Sequence, residues 1–450
     1  MICLTRRPAR PSQGFVCWVA LAGGLFLLLP AQAALEGPRS SDRLRLEASP
    51  VLTVQDAVAL ALAGNPGLAE IKARAEAMAA IPSQAGTLPD PSLNFDALNI
   101  PSKNFNLRQD DMTMLEVGFS QAIPFPGKLG LREKAATFEA EAAVHSVEEA
   151  RLRLARDVKS GWWQLFYFDR ALGILADTQE LFRKLVEITQ TKYQVGQGLQ
   201  QDVLLARLEL SKLSDQKVEL MRMRHSEAGR LNALLNRPSE TLLALPEEAE
   251  VEQPDVASAD RLQERAEQTR PLFAQRRKAI DAAQTRVDLA HKDFYPDFSL
   301  GAGYAFRQDT PSGQERSDFA NFRLSLSVPI YAGSKQAKAV DQRQSELLQE
   351  TYTLQDDIRR VQADITQGWA DYMHARERLA LFDNDIIPQA QQTVESMLAG
   401  YQVNKVDFLN LIRAEITLFD YQIQYWQALT RTQQALAQLI AATGEEKIDD

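Results

Sequence analysis

Phe298-Ser299-Leu300-Gly301-Ala302-Gly303-Tyr304-Ala305-Phe306 alternates apolar side chains with small or polar ones along its whole length. Successive side chains leave a strand on opposite sides, so period two marks a strand with one apolar and one wetter face. A second run follows, in which Phe322, Leu324, Leu326 and Val328 alternate with Arg323, Ser325 and Ser327. Two more lie upstream: Leu93, Phe95 and Ala97 against Asn94 and Asp96, and Leu115, Val117 and Phe119 against Glu116, Gly118 and Ser120. Each run is about nine or ten residues, the length of a tilted transmembrane strand. A charged side chain facing lipid costs about 2–4 kcal/mol at the midplane. Arg323, Glu116 and Asp96 are therefore expected on an inner, wet face. A half-buried sheet in a soluble domain shows the same alternation, but two hairpins flanked by very long helices leave no obvious layer to cover them.

The strands belong to a unit written twice, offset by about 207 residues. Pro89-Asp90-Pro91-Ser92-Leu93 matches Pro296-Asp297-Phe298-Ser299-Leu300, and Pro124 matches Pro329. Further on, Asp157-Val158 and Gly161-Trp162 match Asp364-Ile365 and Gly368-Trp369, and Tyr193-Gln194-Val195 matches Tyr401-Gln402-Val403. Anchors in the same order at a nearly constant offset make chance similarity a poor explanation. The expected boundaries are a signal peptide over 1–33, a first repeat over 34–236 and a linker over 237–257. The second repeat covers 258–442, and a polar tail 443–450. Each repeat reads helix, strand pair, very long helix, break, shorter helix.

From Leu129 to Val195 there is no proline, and Gln336 to Tyr401 holds only Pro388. Each is expected to be a helix of about 100 Å at 1.5 Å per residue. In the second, Leu347, Thr351, Leu354, Ile358, Val361, Ile365, Gly368, Tyr372, Ala375, Leu379, Phe382 and Ile386 step by fours and threes, a heptad seam. Ile412, Ile416, Phe419, Ile423 and Trp426 repeat it. The fold class is thus mainly α, with a membrane β part and coiled-coil packing.

Arg6, Arg7 and Arg10, the apolar Phe15 to Leu29 and the small-residue Ala31-Gln32-Ala33 have the layout of a secretory signal. Both cysteines, Cys3 and Cys17, fall inside it, so the exported chain has no disulfide, thiolate metal site or Cys nucleophile. Removing its three arginines takes the formal net charge from −10 to −13. A basic footprint for nucleic acid is absent; an acidic chain suits a cation-attracting lumen or a soluble surface. No run of 18 apolar residues follows residue 33, so any crossing of the membrane uses strands.

Four strands cannot close a barrel, and open edges are not tolerated in lipid. The chain is therefore expected to assemble, and three copies give about twelve strands around an aqueous lumen. The polar stretches Asn99 to Asp111 and Arg307 to Phe319 join the strand pairs and would face outward, leaving the helices in the periplasm. Pro124, Pro126 and Gly127, with Pro329 and Gly333, supply the barrel-to-helix turns, since proline fixes φ and glycine permits unusual ones.

These residues resemble the TolC-type outer-membrane efflux family across essentially the whole exported chain. Three local patterns carry the likeness. One is Ser120-Gln121-Ala122-Ile123-Pro124-Phe125-Pro126-Gly127-Lys128. The others are Tyr193-Gln194-Val195-Gly196 followed by Asp202-Val203-Leu204, and Tyr401-Gln402-Val403 followed by Phe408-Leu409-Asn410-Leu411. The resemblance implies a homotrimer with a twelve-stranded β-barrel continuing into a helical tunnel. It also implies docking of the tips (Tyr193, Gly196, Tyr401) to a periplasmic membrane-fusion adaptor, and a proton-driven inner-membrane pump that supplies the energy. No cofactor and no catalytic residue are implied. The family narrows its tunnel with acidic residues at the second tip; here those positions are Asn410 and Arg413. Asp407 and Asp202 are then the candidates for a constriction ring, with Glu415 nearby and Arg413 available to pair with a carboxylate. Solvated tip charges with no gating role are the plain alternative.

The first hairpin and its Pro-Phe-Pro-Gly-Lys junction look most like the heavy-metal branch of that family, which implies copper, silver, cobalt, zinc or cadmium as cargo. Met112 and Met114 are soft enough for Cu(I), yet two thioethers alone make a poor site, and strand-end side chains are the simpler reading. His145, His225, His291 and His374 have no helical pairing and read as ordinary helix-face residues. Rival classes are an enzyme, for which Gly196-Gln197-Gly198 lacks the preceding strand, and a periplasmic coiled-coil adaptor, which needs no amphipathic strand pairs. Drugs or secreted polypeptides as cargo stay open.

Overall fold

A computed structural model describes residues 51–445. The expected signal peptide over 1–33 and the last five residues of the expected tail lie outside the described residues. The chain begins with α1 (Val54–Gly64), α2 (Pro66–Ala79) and α3 (Ile81–Gly86). Thr53 caps α1 by accepting the Asp56 N–H, and Asn65 caps α2 by accepting the Leu68 N–H, with Pro66 at the first turn. The hairpin β1 (Ser92–Leu98) and β2 (Met114–Ile123) follows, then α4 (Lys128–Gln194) and the returning α5 (Gln200–Leu234). The second copy has α6 (Ala259–Thr269), α7 (Pro271–Lys292), β3 (Asp297–Phe306) and β4 (Phe319–Ser327). It continues with α8 (Gln336–Leu381), α9 (Ile387–Gln402) and α10 (Phe408–Thr443).

Two elements differ from expectation. The 67 residues of α4 form one helix of about 100 Å, but its counterpart is interrupted by a π-helical turn at Phe382–Ile386. Pro388 has no N–H to give and its ring crowds the carbonyl four residues back, so the ladder widens by one residue instead of breaking. The strand β1 has only 7 residues, shorter than its expected length.

The two hairpins do not stand apart. They join through β2 and β3 into one antiparallel sheet of order β1-β2-β3-β4. Phe119 lies opposite Ala302, Gly118 opposite Gly303, and Val117 opposite Tyr304. The register sorts the side chains as the alternation demands. One face carries Asn94, Asp96, Glu116, Ser120, Asn321, Arg323 and Ser325, and Asn321 Nδ2 donates to Glu116 Oε2 at 3.0 Å. The other carries Leu93, Phe95, Val117, Phe119, Leu300, Tyr304, Phe322 and Leu324. No element among the described residues covers that apolar face: Phe322 is 86% exposed and Phe95 77%. A soluble half-buried sheet would hide these residues, at about 25 cal/mol for each Å² of apolar surface.

The helices follow the same duplication. Trp162 is buried on α4 and its indole N–H donates to the Leu52 carbonyl at 2.9 Å; Trp369 on α8 donates to the Ala257 carbonyl at 3.1 Å. Around Trp162 the core gathers Val158, Leu165, Phe166, Leu231 and Leu429, and around Trp369 it gathers Leu262, Phe273, Val361 and Ile365. Between them α7 is held to α4 by Arg286–Glu139 and Lys278–Glu141, and to α8 by Arg276–Asp357. The heptad stripe on α8 turns inward as expected, with Val361, Ile365, Gly368, Tyr372 and Leu379 buried.

Candidate functional site

Two helical hairpin tips lie at the end away from the sheet, and both turn in the same way. After α4, Gly196 sits at φ +74° and the Gln197 N–H reaches back to the Lys192 carbonyl at 2.8 Å. After α9, Asn404 sits at φ +56° and the Lys405 N–H reaches back to the Gly400 carbonyl at 2.8 Å. A left-handed residue just past a helix, closed by a six-to-one hydrogen bond, satisfies the last carbonyls of that helix, and glycine or asparagine adopts it at least cost.

The tips are fastened to each other. Lys192 Nζ donates to the Tyr401 carbonyl at 3.2 Å and to Asn404 Oδ1 at 2.9 Å, and lies 4.1 Å from the Tyr401 ring centroid. The family resemblance groups Tyr401 with Tyr193 and Gly196 as an adaptor-facing tip residue. Its side chain is instead buried, against Phe408 at 5.3 Å between ring centroids. The reason is the Lys192 staple together with the apolar cluster of Leu175, Phe182, Leu185, Ala206, Leu411 and Phe419 beneath it. Tyr193 and Gly196 are exposed.

The four candidate constriction residues split into a half-buried one and three exposed ones. Asp202 opens the first turn of α5. Burial pushes its carboxyl up, as does the like charge of Asp407, against a backbone hydrogen bond at Leu199 and the Lys192 ammonium. The two aspartates, 205 residues apart in sequence, are therefore brought within each other's field. Asp407, Asn410 and Arg413 step by threes along one exposed side of α10, and Arg413 makes no ion pair among the described residues. Glu415 takes no place beside them. It is buried on the opposite side of α10, between turns that carry Leu411 and Phe419, and burial raises its pKa to about 7. In sequence Glu415 stands near the tip carboxylates, but the heptad phase that buries Ile412 and Phe419 also buries position 415.

At the other end of α4, the expected barrel-to-helix turn is a joint between the two copies. Pro124 and Pro126 end β2, and Gly127 at φ +92° turns the chain into the helix. Phe125 stacks on Tyr295 at 4.5 Å. Lys128, almost fully buried, reaches Asp293 at 3.0 Å and Asp297 at 2.9 Å, and Asp297 also accepts the Phe125 N–H at 2.7 Å. The second junction, after Pro329, uses no left-handed glycine. Gly333 keeps an ordinary φ, because two extra residues let the chain turn through Lys335 N–H to Tyr331 O at 2.9 Å and Ala337 N–H to Ala332 O at 2.8 Å. At the outer end, Arg316 clasps the two polar loops, donating to the carbonyls of Arg108, Asp110 and Gln308 and pairing with Asp111.

Of the methionines, Met112 is exposed and Met114 is buried at the start of β2. The four histidines lie on α4, α5, α7 and α8. Among the described residues no group of three or more His, Cys, Asp or Glu side chains gathers as a metal site would require, and no helix is long and apolar enough to cross a membrane.

Residues 57–237 and 262–445, one stretch from each copy, match the family described as outer membrane efflux protein. Over 405 residues, 86% of this chain and 89% of the relative, the chain is 21% identical to the cobalt-zinc-cadmium resistance protein CzcC of Cupriavidus metallidurans. It is 23% identical over 248 residues to the alkaline protease secretion protein AprF of Pseudomonas aeruginosa; that match covers 53% of this chain and spans only about half, 50%, of AprF. The fold is shared with the outer membrane protein VceC of Vibrio cholerae, with a TM-score of 0.73 at 17% identity over 87% of this chain and 96% of VceC.

Proposed function

This chain belongs to the outer membrane efflux protein family, and we propose that three copies of it build the exit duct of a heavy-metal efflux system. It is an outer-membrane efflux channel whose helices stand in the periplasm. In the proposed assembly three four-stranded sheets close a twelve-stranded barrel, and the long helices continue it as a tunnel. One observation carries this reading. The sheet presents an uncovered apolar face, a polar face bearing Asp96, Glu116 and Arg323, and two unpaired edges, β1 and β4. Lipid against the first, water against the second and further copies at the edges satisfy all three at once.

The duct is passive, and its energy comes from a proton-driven inner-membrane pump reached through a periplasmic adaptor. The exposed tip residues, Tyr193 and Gly196, are the surface offered to that adaptor, with Lys192 and Tyr401 fixing the two tips beneath it. Asp202 and Asp407, repeated threefold, form the acidic constriction, which attracts cations and repels itself when empty. Metal cations as cargo follow from that acidic ring and from the similarity to CzcC over most of both chains. A secreted polypeptide is the second reading, supported by the half-length similarity to AprF. Deleting the coding sequence and scoring sensitivity to cobalt, zinc, cadmium, copper and silver salts beside a drug panel separates these. The metal reading expects lost tolerance to at least one of the metals. Full metal tolerance with lost drug tolerance or lost protein secretion overturns it.

A further inference from the structure

The two halves of the sheet repeat each other position by position. Ser92 lies opposite Ser120 and Asp96 opposite Glu116 in the first hairpin; Ser299 lies opposite Ser325 and Gly303 opposite Asn321 in the second. These are equivalent pairs, since Asp90-Pro91-Ser92-Leu93 matches Asp297-Phe298-Ser299-Leu300 and the strand-closing Pro124 matches Pro329. The hairpins meet where β2, the second strand of one copy, pairs with β3, the first strand of the other. The unpaired edges are of the same two kinds: β4 is a second strand and β1 a first strand. The chain thus contains, in its β2–β3 seam, a worked example of the seam its free edges need.

Resting on the homotrimer proposed above, we propose that β4 pairs with β1 of the partner subunit in the register of the β2–β3 seam, locked by two charge pairs, Arg323 with the partner's Asp96 and Lys335 with the partner's Asp90. The register follows by substitution of equivalents. Gly118 lies opposite Gly303 in the internal seam; in the other copies of the unit these positions are Arg323 and Asp96. Phe119 opposite Ala302 becomes Leu324 opposite Phe95, and Gln121 opposite Leu300 becomes Leu326 opposite Leu93. Apolar residues thereby meet on the lipid side, and the two opposite charges meet on the wet side. A slip by one residue would turn Arg323 or Asp96 toward lipid.

The second pair copies the junction. Lys128 stands as far before Asp157 in α4 as Lys335 stands before Asp364 in α8, and Asp297 is the equivalent of Asp90. Within the chain, Lys128 holds Asp297 at 2.9 Å across the β2–β3 seam. Across the β4–β1 seam Lys335 and the partner's Asp90 are the counterparts of that pair, with two more residues between Pro329 and Lys335 than between Pro124 and Lys128. All four residues are exposed, and among the described residues none makes an ion pair or side-chain hydrogen bond within its own chain. In the internal seam a Cβ at Gly303 would meet the Glu116 carboxylate, which would have to swing aside. Across the β4–β1 seam the place of Glu116 is taken by Asn321, so Asp96 meets no second carboxylate there beyond Glu116, which lies opposite it in its own hairpin.

The test uses full-length protein extracted from outer membranes in detergent, with Cys3 and Cys17 replaced by serine. Asp96→Cys with Arg323→Cys, treated with a short bifunctional methanethiosulfonate, is expected to give covalent dimers and trimers on a denaturing gel. Either single variant should give monomers, and Asp96→Cys with Ser325→Cys, two residues out of register, several-fold less product. In parallel, Asp90→Lys should lower the fraction that stays trimeric in mild detergent, and adding Lys335→Asp should restore it. A trimer by light scattering that links no better through Arg323→Cys than through Ser325→Cys, and that the Asp90/Lys335 swap does not rescue, overturns this seam while leaving the homotrimer standing. A monomer by light scattering overturns both.

Discussion

Replacing Glu415 by glutamine removes a buried charge while keeping its shape, and the structure sets how the effect varies with pH. Glu415 is 5% exposed, on the side of α10 that carries Leu411 and Phe419 and packs against Leu175 and Phe182, and its pKa is raised from 4.5 to about 7 by burial. Because the folded value lies above the unfolded one, the folded state holds its proton more tightly. Below pH 4.5 the carboxyl is neutral in both states, and the helical tip has its full stability. As pH rises toward 7 the unfolded chain releases the proton first and stability falls; above about 7 the whole difference is lost. At about 1.36 kcal/mol per pKa unit this amounts to about 3 kcal/mol, more than a hundredfold in the folding equilibrium. Glutamine carries no such slope. In urea titrations of the detergent-solubilised protein followed by circular dichroism, Glu415→Gln should unfold at higher urea than the native chain at pH 8 and at nearly the same urea at pH 4.5. An equal difference at both pH values, or none at pH 8, would refute the burial argument, since only a titrating group makes the difference depend on pH.

Other outcomes follow from the same geometry. Trp162→Ala removes a fully buried indole stacked on Phe166 at 5.3 Å and the hydrogen bond to Leu52; it should cost about 3–5 kcal/mol and reduce folded yield in membrane fractions. Gly196→Asn should leave tip resistance to limited proteolysis unchanged, because Asn404 already fills the equivalent left-handed position at φ +56°. Gly196→Val should cost roughly 1–2 kcal/mol there and speed cleavage at the tip. Arg413→Ala should raise open probability in single-channel recordings, as expected for a residue that pairs with a carboxylate to hold the closed state; an unchanged open probability removes it from the gate.

Much of the architecture could be read before any coordinates. Period two in Phe298–Phe306 named a strand, fours and threes in α8 named a coiled-coil seam, and matched anchors such as Trp162 and Trp369 named the duplication. The family suggested by the Pro-Phe-Pro-Gly-Lys junction and the tip motifs is the one matched over both repeats. What escaped was whatever depends on residues far apart in the chain. Lys128 was legible as a motif letter, yet its burial between Asp293 and Asp297 needs α7 and β3 beside it. Lys192 carried no signal at all, because its partners Tyr401 and Asn404 lie more than two hundred residues away. Glu415 looked like one more tip charge until the packing of α10 turned it inward.

The local elements, their faces and their repetition are written along the chain, because periodicity and turn chemistry act between near neighbours. Which faces meet is settled in three dimensions: β2 pairs with β3 and leaves β1 and β4 open, the Asp202 and Asp407 charges feel each other, and Tyr401 lies under a lysine instead of in water. Those outcomes depend on register and helix phase between segments separated by hundreds of residues, and no pattern within either segment encodes the distance to the other.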